Sequence, residues 1–306
     1  MSLKKRTGFE FAGEIPCLSR DTVGERRDLR TTTLVHSISA PIYDLLRKAS
    51  GPVCRLGVFR RSLDLLIDEQ VVALGLPELR NGPFHVVVQQ LPARPFPKEC
   101  SLHWKADILQ LGPWQLYFPA TLRVWNPRPR WESLDLQPAT LAALREFVLQ
   151  PDRALDRCHS PFYPLLMGQL IPEVSFLMTA LRNGDLADIR AGSAQLAGWG
   201  PGLTPSGDDF LAGVMLSWWA NTGRAEIPAA IYQGAAARTN RISRAFLCAA
   251  RDGLADERWQ LLLAALTAGQ RREWEVAARH VLAFGATSGL DMFLGFLEAA
   301  EICSKA

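Results

Sequence analysis

Three aspartates carry the most suggestive chemistry in this chain. Asp208 and Asp209 follow the glycine- and proline-rich stretch Gly198-Trp199-Gly200-Pro201-Gly202-Leu203-Thr204-Pro205-Ser206-Gly207, and Asp291 follows Phe284-Gly285-Ala286-Thr287-Ser288-Gly289-Leu290. Hydroxyls of Thr204, Ser206, Thr287 and Ser288 flank them. Carboxylates beside hydroxyls suit a hard, oxygen-seeking cation such as Mg2+. They equally suit the amide or ammonium group of a substrate whose carboxylate or phosphate is taken by helix-terminal N–H groups. A structural alternative is that Ser206 and Ser288 are N-caps and the aspartates complement helix dipoles.

The two stretches share one pattern, Ser-Gly-x-Asp-x-x-x-Gly. Ser206, Asp209 and Gly213 recur as Ser288, Asp291 and Gly295, and 288 − 206, 291 − 209 and 295 − 213 each give 82, so the match has no gap. Asp and Gly four residues apart share a helical face. The spacing predicts two equivalent helices crossing closely at Gly213 and Gly295, with Asp209 and Asp291 facing one another.

These residues need elements to position them. Four glycines and two prolines between 198 and 207 exclude a helix or central strand there, because glycine carries a large backbone entropy cost and proline has no N–H donor. The apolar run Phe210 to Trp219 then reads as a buried helix, so the loop delivers the chain to a helix start where free N–H groups should converge. Gly200, Gly202, Thr204, Ser206, Gly207, Thr287, Ser288 and Gly289 are the candidate substrate-binding positions, with Asp208, Asp209 and Asp291 as candidate catalytic residues. Arg238, Arg241 and Arg244 recur every three residues in a helical segment that also holds Thr239, Asn240 and Ser243. Arg241 is the candidate for neutralising a bound carboxylate or phosphate. A solvated helix face is the alternative reading.

Along the chain, residues 1 to about 34 read as an irregular, arginine-rich lead-in. Short strand signals follow at Val53 to Phe59, Val71 to Leu74, Phe84 to Val88 and Trp114 to Phe118, with short helices at Ile42 to Lys48 and Leu63 to Ile67. The gaps are mostly too short for crossover helices, which predicts mainly antiparallel pairing. Trp125-Asn126-Pro127-Arg128-Pro129-Arg130-Trp131 is an extended boundary segment. Beyond it helices are predicted at 138–149, 164–182, 185–197, 208–222, 228–250, 257–268, 273–284 and 290–303. Gly184 and Gly223 suit C′ positions, Asp185 an N-cap and Pro228 an N1 site. The fold class is therefore α+β, with a β-rich domain over 1–130, lead-in included, and an all-α domain over 131–306.

Composition narrows the function classes. With 306 residues, 48% of them apolar and 21% charged, the chain can bury a real core. The net charge of +3 is mild and its basic residues are scattered, as at 4–6, 26–27 and 60–61, so no nucleic-acid face is expected. Cys17, Cys54, Cys100, Cys158, Cys248 and Cys303 form no Cys-x-x-Cys pair and read as reduced, mostly buried thiols. The five histidines, His36, His85, His103, His159 and His280, are isolated in sequence. No signal peptide or membrane-spanning run is read, so the expected location is the cytoplasm.

The stretches Gly200 to Gly213 and Phe284 to Asp291, with looser support from Val58 to Leu65, Asn81-Gly82-Pro83 and Thr239 to Gly253, resemble a bacterial family long labelled only as a domain of unknown function. That family includes the AllH-like subunit of oxamate carbamoyltransferase from allantoin catabolism, a branch of purine breakdown. The resemblance covers roughly 50 to 300. It implies an enzyme subunit that moves a carbamoyl group between oxamate, a small carboxylate, and phosphate, with other subunits as partners and possible oligomers. The Ser-Thr-Arg-Thr phosphate loop of ordinary carbamoyltransferases is absent here. Two other function classes stand beside this one: a non-catalytic partner or ligand-sensing subunit whose motif builds a rigid interhelical joint, and a metal-dependent hydrolase using the aspartate cluster.

Overall fold

A computed structural model describes residues 32–92, 96–134, 136–150, 160–166 and 168–303. Most of the expected lead-in, including the basic residues at 4–6 and 26–27 and Cys17, lies outside the described residues, as do Cys158 and His159.

The β-rich part runs β1 (Thr32–Ser39), α1 (Ala40–Lys48), β2 (Val53–Val58), β3 (Ser62–Ile67), β4 (Gln70–Gly75), β5 (His85–Val88), β6 (Glu99–Cys100), β7 (Leu102–Lys105), β8 (Ile108–Leu111), β9 (Trp114–Tyr117) and β10 (Arg123–Trp125). The helical part follows as α2 (Pro138–Leu149), α3 (Tyr163–Leu166), α4 (Pro172–Asn183), α5 (Leu186–Leu196), α6 (Ser206–Thr222), α7 (Glu226–Ala235), α8 (Arg241–Arg251), α9 (Glu257–Thr267), α10 (Arg271–Leu282) and α11 (Ser288–Cys303). The α+β class read from the sequence is the one observed.

The strands lie in the order β6-β2-β3-β4-β5-β1-β9-β8-β7. The long first strand β1 organises them: its start pairs in parallel with β9, its end pairs in parallel with β10, and β5 runs antiparallel beside it. The sheet is thus mixed rather than purely antiparallel, with β4 and β5 also parallel. Short gaps do not forbid parallel pairing when the partners are distant in sequence, as for β1, or when a single 3-10 turn at Pro77–Leu79 joins neighbours, as between β4 and β5. Leu63 to Ile67, expected as a short helix, is instead strand β3. Each of these residues is buried and the strand pairs with β2 on one side and β4 on the other, and periodicity cannot separate such a run from a buried helical turn.

Two apolar cores form. One gathers β-part residues such as Val35, Ile38, Leu65, Val86 and Leu116, with Ala245 and Phe246 of α8 packed against it. The other gathers the helices around Phe162, Phe210, Met215, Leu262, Phe293 and Phe296. Helix signals held well where caps mark them. Gly184 and Gly223 take left-handed φ of 67° and 66°, and the Asp185 carboxylate accepts from the N–H groups of Ala187 and Asp188. Two long helices predicted from the sequence are broken. The segment 164–182 divides into α3 and α4, with Pro172 at the start of α4. The segment 228–250 divides into α7 and α8, because the Asn240 side chain caps a new helix by accepting from Ile242 and Ser243 N–H. Helix α7 begins at Glu226, so Pro228 sits inside its first turn rather than at N1. Among the described residues no helix is long and apolar enough to cross a membrane.

Candidate functional site: a paired helix junction

Helices α6 and α11 cross where the repeat predicts. A Cβ on Gly213 would lie 1.9 Å from the Met292 carbonyl oxygen, and one on Gly295 would lie 2.0 Å from that of Phe210. Met292 and Phe210 are themselves 82 apart, so the contact is two-fold in character: each helix presents its glycine to the other's equivalent carbonyl. The first glycines of the motif do the same against the preceding helices, Gly207 facing the Leu196 carbonyl and Gly289 that of Val281. No side chain fits at these approaches, which is the physical reason for glycine at all four.

This close crossing brings the polar residues of the two junctions together. The hydroxyls are exchanged: Asp209 accepts from Ser288 of the opposite junction and from Thr204 of its own, while Asp291 accepts from Ser206 opposite and from Thr287 of its own. The Thr204 and Ser288 hydroxyls lie 3.1 Å apart, those of Ser206 and Thr287 3.5 Å. Ser160 adds a further donor to Asp291. Ser206 is the first residue of α6, after Pro205, and its hydroxyl reaches across the junction. It is therefore not the N-cap that the structural alternative required. Ser160 was not among the sequence candidates, and Ser160-Pro161-Phe162 carries no motif that would have singled it out.

Both carboxyls are sealed. Asp209 is 4% exposed and Asp291 0%, and one oxygen of each, Oδ2, is buried without a hydrogen-bond partner among the described residues. Burial holds the Asp209 carboxyl well above the usual carboxylate range. Its bond from Ser288 opposes this, and the charges of Asp291 and Asp208 add to it. Asp291 is raised more moderately: burial again leads, against the bonds from Ser160, Ser206 and Thr287. A buried pair of this kind favours the neutral acid, which can donate a hydrogen bond or a proton to a carbonyl or oxyanion.

Asp208 is built differently. Its carboxylate is satisfied by the Gly198 N–H at 2.9 Å, by the Ser243 hydroxyl at 2.6 Å and by the Thr239 hydroxyl. It ties the start of the loop to the start of α8. The Asn240 side chain adds a second tie by donating to the Leu203 carbonyl at 2.8 Å. Between these anchors Gly198, Gly200 and Gly202 hold φ of 75°, 103° and 110°, conformations that L side chains avoid, and Trp199 and Leu203 are exposed at the loop's surface.

The expected convergence of free N–H groups is corrected. Gly207 N–H donates to the Trp199 carbonyl, Asp208 and Asp209 N–H to that of Pro205, Gly289 N–H to that of Phe284 and Asp291 N–H to that of Thr287. The loop turns back on the helix start and uses the donors itself. Arg241 is also placed elsewhere than at the aspartates. It faces Glu69 at 3.7 Å and lines a cleft against the sheet, because the broken helix directs Thr239, Asn240 and Ser243 to the loop and Arg241 and Arg244 to that cleft. Sequence reading found this stretch through its arginines, while its hydroxyls and amide tie the loop. Among the described residues no group of three or more His, Cys, Asp or Glu is placed to hold a metal ion.

Residues 196–300 match the family model described as oxamate carbamoyltransferase subunit AllH. The match runs from the end of α5 into the last turn of α11 and so encloses both junctions and α8. The resemblance read from Gly200 to Gly213 and Phe284 to Asp291 holds over that stretch, while Val58 to Leu65 and Asn81 to Pro83 lie outside it. No curated protein and no solved structure matches the chain.

Proposed function

We propose that this chain is a subunit of a carbamoyl-transferring enzyme acting on a small carboxylate such as oxamate, and that Asp209 and Asp291 are its acid pair. The observation that carries the reading is the pair itself: two buried carboxyls, each with an unpartnered oxygen, set inside the one stretch that matches the carbamoyltransferase subunit family. Retaining buried, incompletely bonded carboxyls works against stability, since apolar residues would pack there at less cost. A polar task at that position explains them. Substrate reaches the pair when the loop 198–205 lifts from the helix starts. Gly200, Gly202, Thr204, Gly207 and Gly289 then frame the opening, Ser206, Thr287 and Ser288 orient the acids, and Asp208 holds the loop's hinge. Exposed Trp199 and Leu203 on that loop offer a contact for a partner subunit. In this reading 1–130 and 131–306 act as two domains of one subunit, a division supported by the separate apolar cores.

A second reading is favoured by the tight crossing and the sealed carboxyls: a non-catalytic subunit in which the junction is a rigid joint. One experiment separates the two. The chain is purified with whatever subunits accompany it and assayed for carbamoyl transfer between oxamate and carbamoyl phosphate. Asp209→Asn and Asp291→Asn are each expected to lower kcat by at least about a hundredfold with the assembly intact, as for loss of a general acid. Wild-type kcat in both variants supports the joint instead. Mg2+ is included and withheld as a further arm, with oxamate left out, and Mg2+-dependent hydrolysis of carbamoyl phosphate there favours the metal-dependent hydrolase reading of the aspartate cluster.

A further inference from the structure

We infer that the cleft between α8 and the sheet is a binding site for a small organic carboxylate with an apolar body, separate from the paired junction and independent of the function proposed for it. The cleft encloses about 490 Å3, within the usual range for small-molecule sites. Its chemistry is divided. One wall is apolar, with Ile42, Phe84 and Ala249 buried beneath it. The other presents Arg241 and Arg244, one helical turn apart on the same helix.

The two guanidinium groups have spare donors. Among the described residues Arg241 meets only the Glu69 carboxylate at 3.7 Å, in a pair that is 51% and 84% exposed, and such exposed pairs are weak. Arg244 makes a long 3.4 Å contact to the Thr239 carbonyl. Each has five N–H donors, so most remain for a ligand. The other carboxylate at the cleft, Asp252, is neutralised by two bonds from Arg251, at 2.7 and 2.8 Å, and does not repel an anion. Asp68 and Glu69 form the two-residue turn that joins β3 to β4, both at positive φ (46° and 61°) as such a hairpin turn requires. The turn sets the Glu69 carboxylate at the mouth of the cleft, against the arginine that a ligand's carboxylate would use.

Benzoate, with benzamide as its neutral counterpart, is the probe, titrated into the full chain by isothermal calorimetry. Benzoate is expected to bind and benzamide to bind at least about tenfold more weakly, the loss of one charge-assisted bidentate contact. Arg241→Gln and Arg244→Gln should each weaken benzoate by a similar factor, and Glu69→Gln should tighten it. No benzoate binding, equal affinity for benzamide, or wild-type affinity in the double arginine variant overturns the assignment. If an arginine variant fails to fold, Arg241→Lys and Arg244→Lys decide, since they keep the charge but lose the bidentate fork: unchanged benzoate affinity in both counts against the site.

Discussion

The junction at Ser206 and the junction at Ser288 begin from the same eight-residue frame and differ at one informative position. Where the first has Asp208, the second has Leu290. Asp208 is buried among three donors, from Gly198 of the loop, Thr239 just before α8 and Ser243 within it, whereas Leu290 packs into the helical core. The shared positions make the crossing and the exchanged hydroxyls, and the unshared one anchors a long loop on one side only. The Ser206 junction therefore has a shaped, glycine-held flap, and the Ser288 junction does not. Two carboxyls that look alike in sequence, Asp208 and Asp209, perform opposite tasks: one is a saturated structural acceptor, the other a sealed acid with an oxygen to spare.

That comparison is most strongly challenged at the crossing. Gly213→Ala and Gly295→Ala should each destabilise the chain by about 3 kcal/mol, because the added carbon meets a backbone carbonyl that cannot move aside without shifting a helix. Chemical denaturation should give nearly equal losses for the two. A large loss at one and none at the other breaks the two-fold description.

Leu290→Asp tests the difference rather than the likeness. It recreates the first junction's sequence in the second, where no loop supplies donors, and should cost about 3 kcal/mol as a buried carboxylate without partners. If the variant is as stable as wild type, the donors around Asp208 are not what make that carboxylate acceptable.

Asp208→Asn and Asp209→Asn should differ in sign. The first weakens hydrogen bonds to a charged acceptor and should lose about 2 kcal/mol. The second removes a buried ionisable group and should gain modestly at pH 7. Burial raises the folded-state pKa of Asp209 and Asp291, so their contribution to stability is full below the unfolded value of 3.8 and is lost as pH rises through the raised folded values. The advantage of Asp209→Asn over wild type should therefore grow as pH rises above 3.8 and vanish below it, with Asp291→Asn showing a smaller version of the same profile.

Much of the helical half could be read in advance because its signals are local. Asp185, Gly184 and Gly223 act within one turn of where they sit, and the 82-residue offset already implied that Gly213 and Gly295 meet. The sheet was less legible. Strand β1 was partly lost in the assumed lead-in, and its partners β9 and β10 lie some eighty residues away, a pairing set by tertiary packing. At the site, the aspartates and hydroxyls were visible as a pattern, but their exchange across the crossing was not, since a hydroxyl's partner depends on helix rotation. The direction of Arg241 was not legible for a related reason: the break at Asn240, which turns Thr239, Asn240 and Ser243 to the loop and leaves Arg241 at the cleft, depends on contacts with the distant loop. Ser160 had no signal at all, being a single serine whose importance comes from the fold alone.

The central claim is that Asp209 and Asp291 form one coupled, buried acid pair. Carbon-detected NMR titration of the Asp209 side-chain carboxyl, in wild type and in Asp291→Asn, tests it most directly. The account predicts that Asp209 titrates well above 3.8 in wild type and that its midpoint falls when the neighbouring charge is removed. An Asp209 midpoint in the ordinary carboxylate range, or one indifferent to Asp291→Asn, would contradict it.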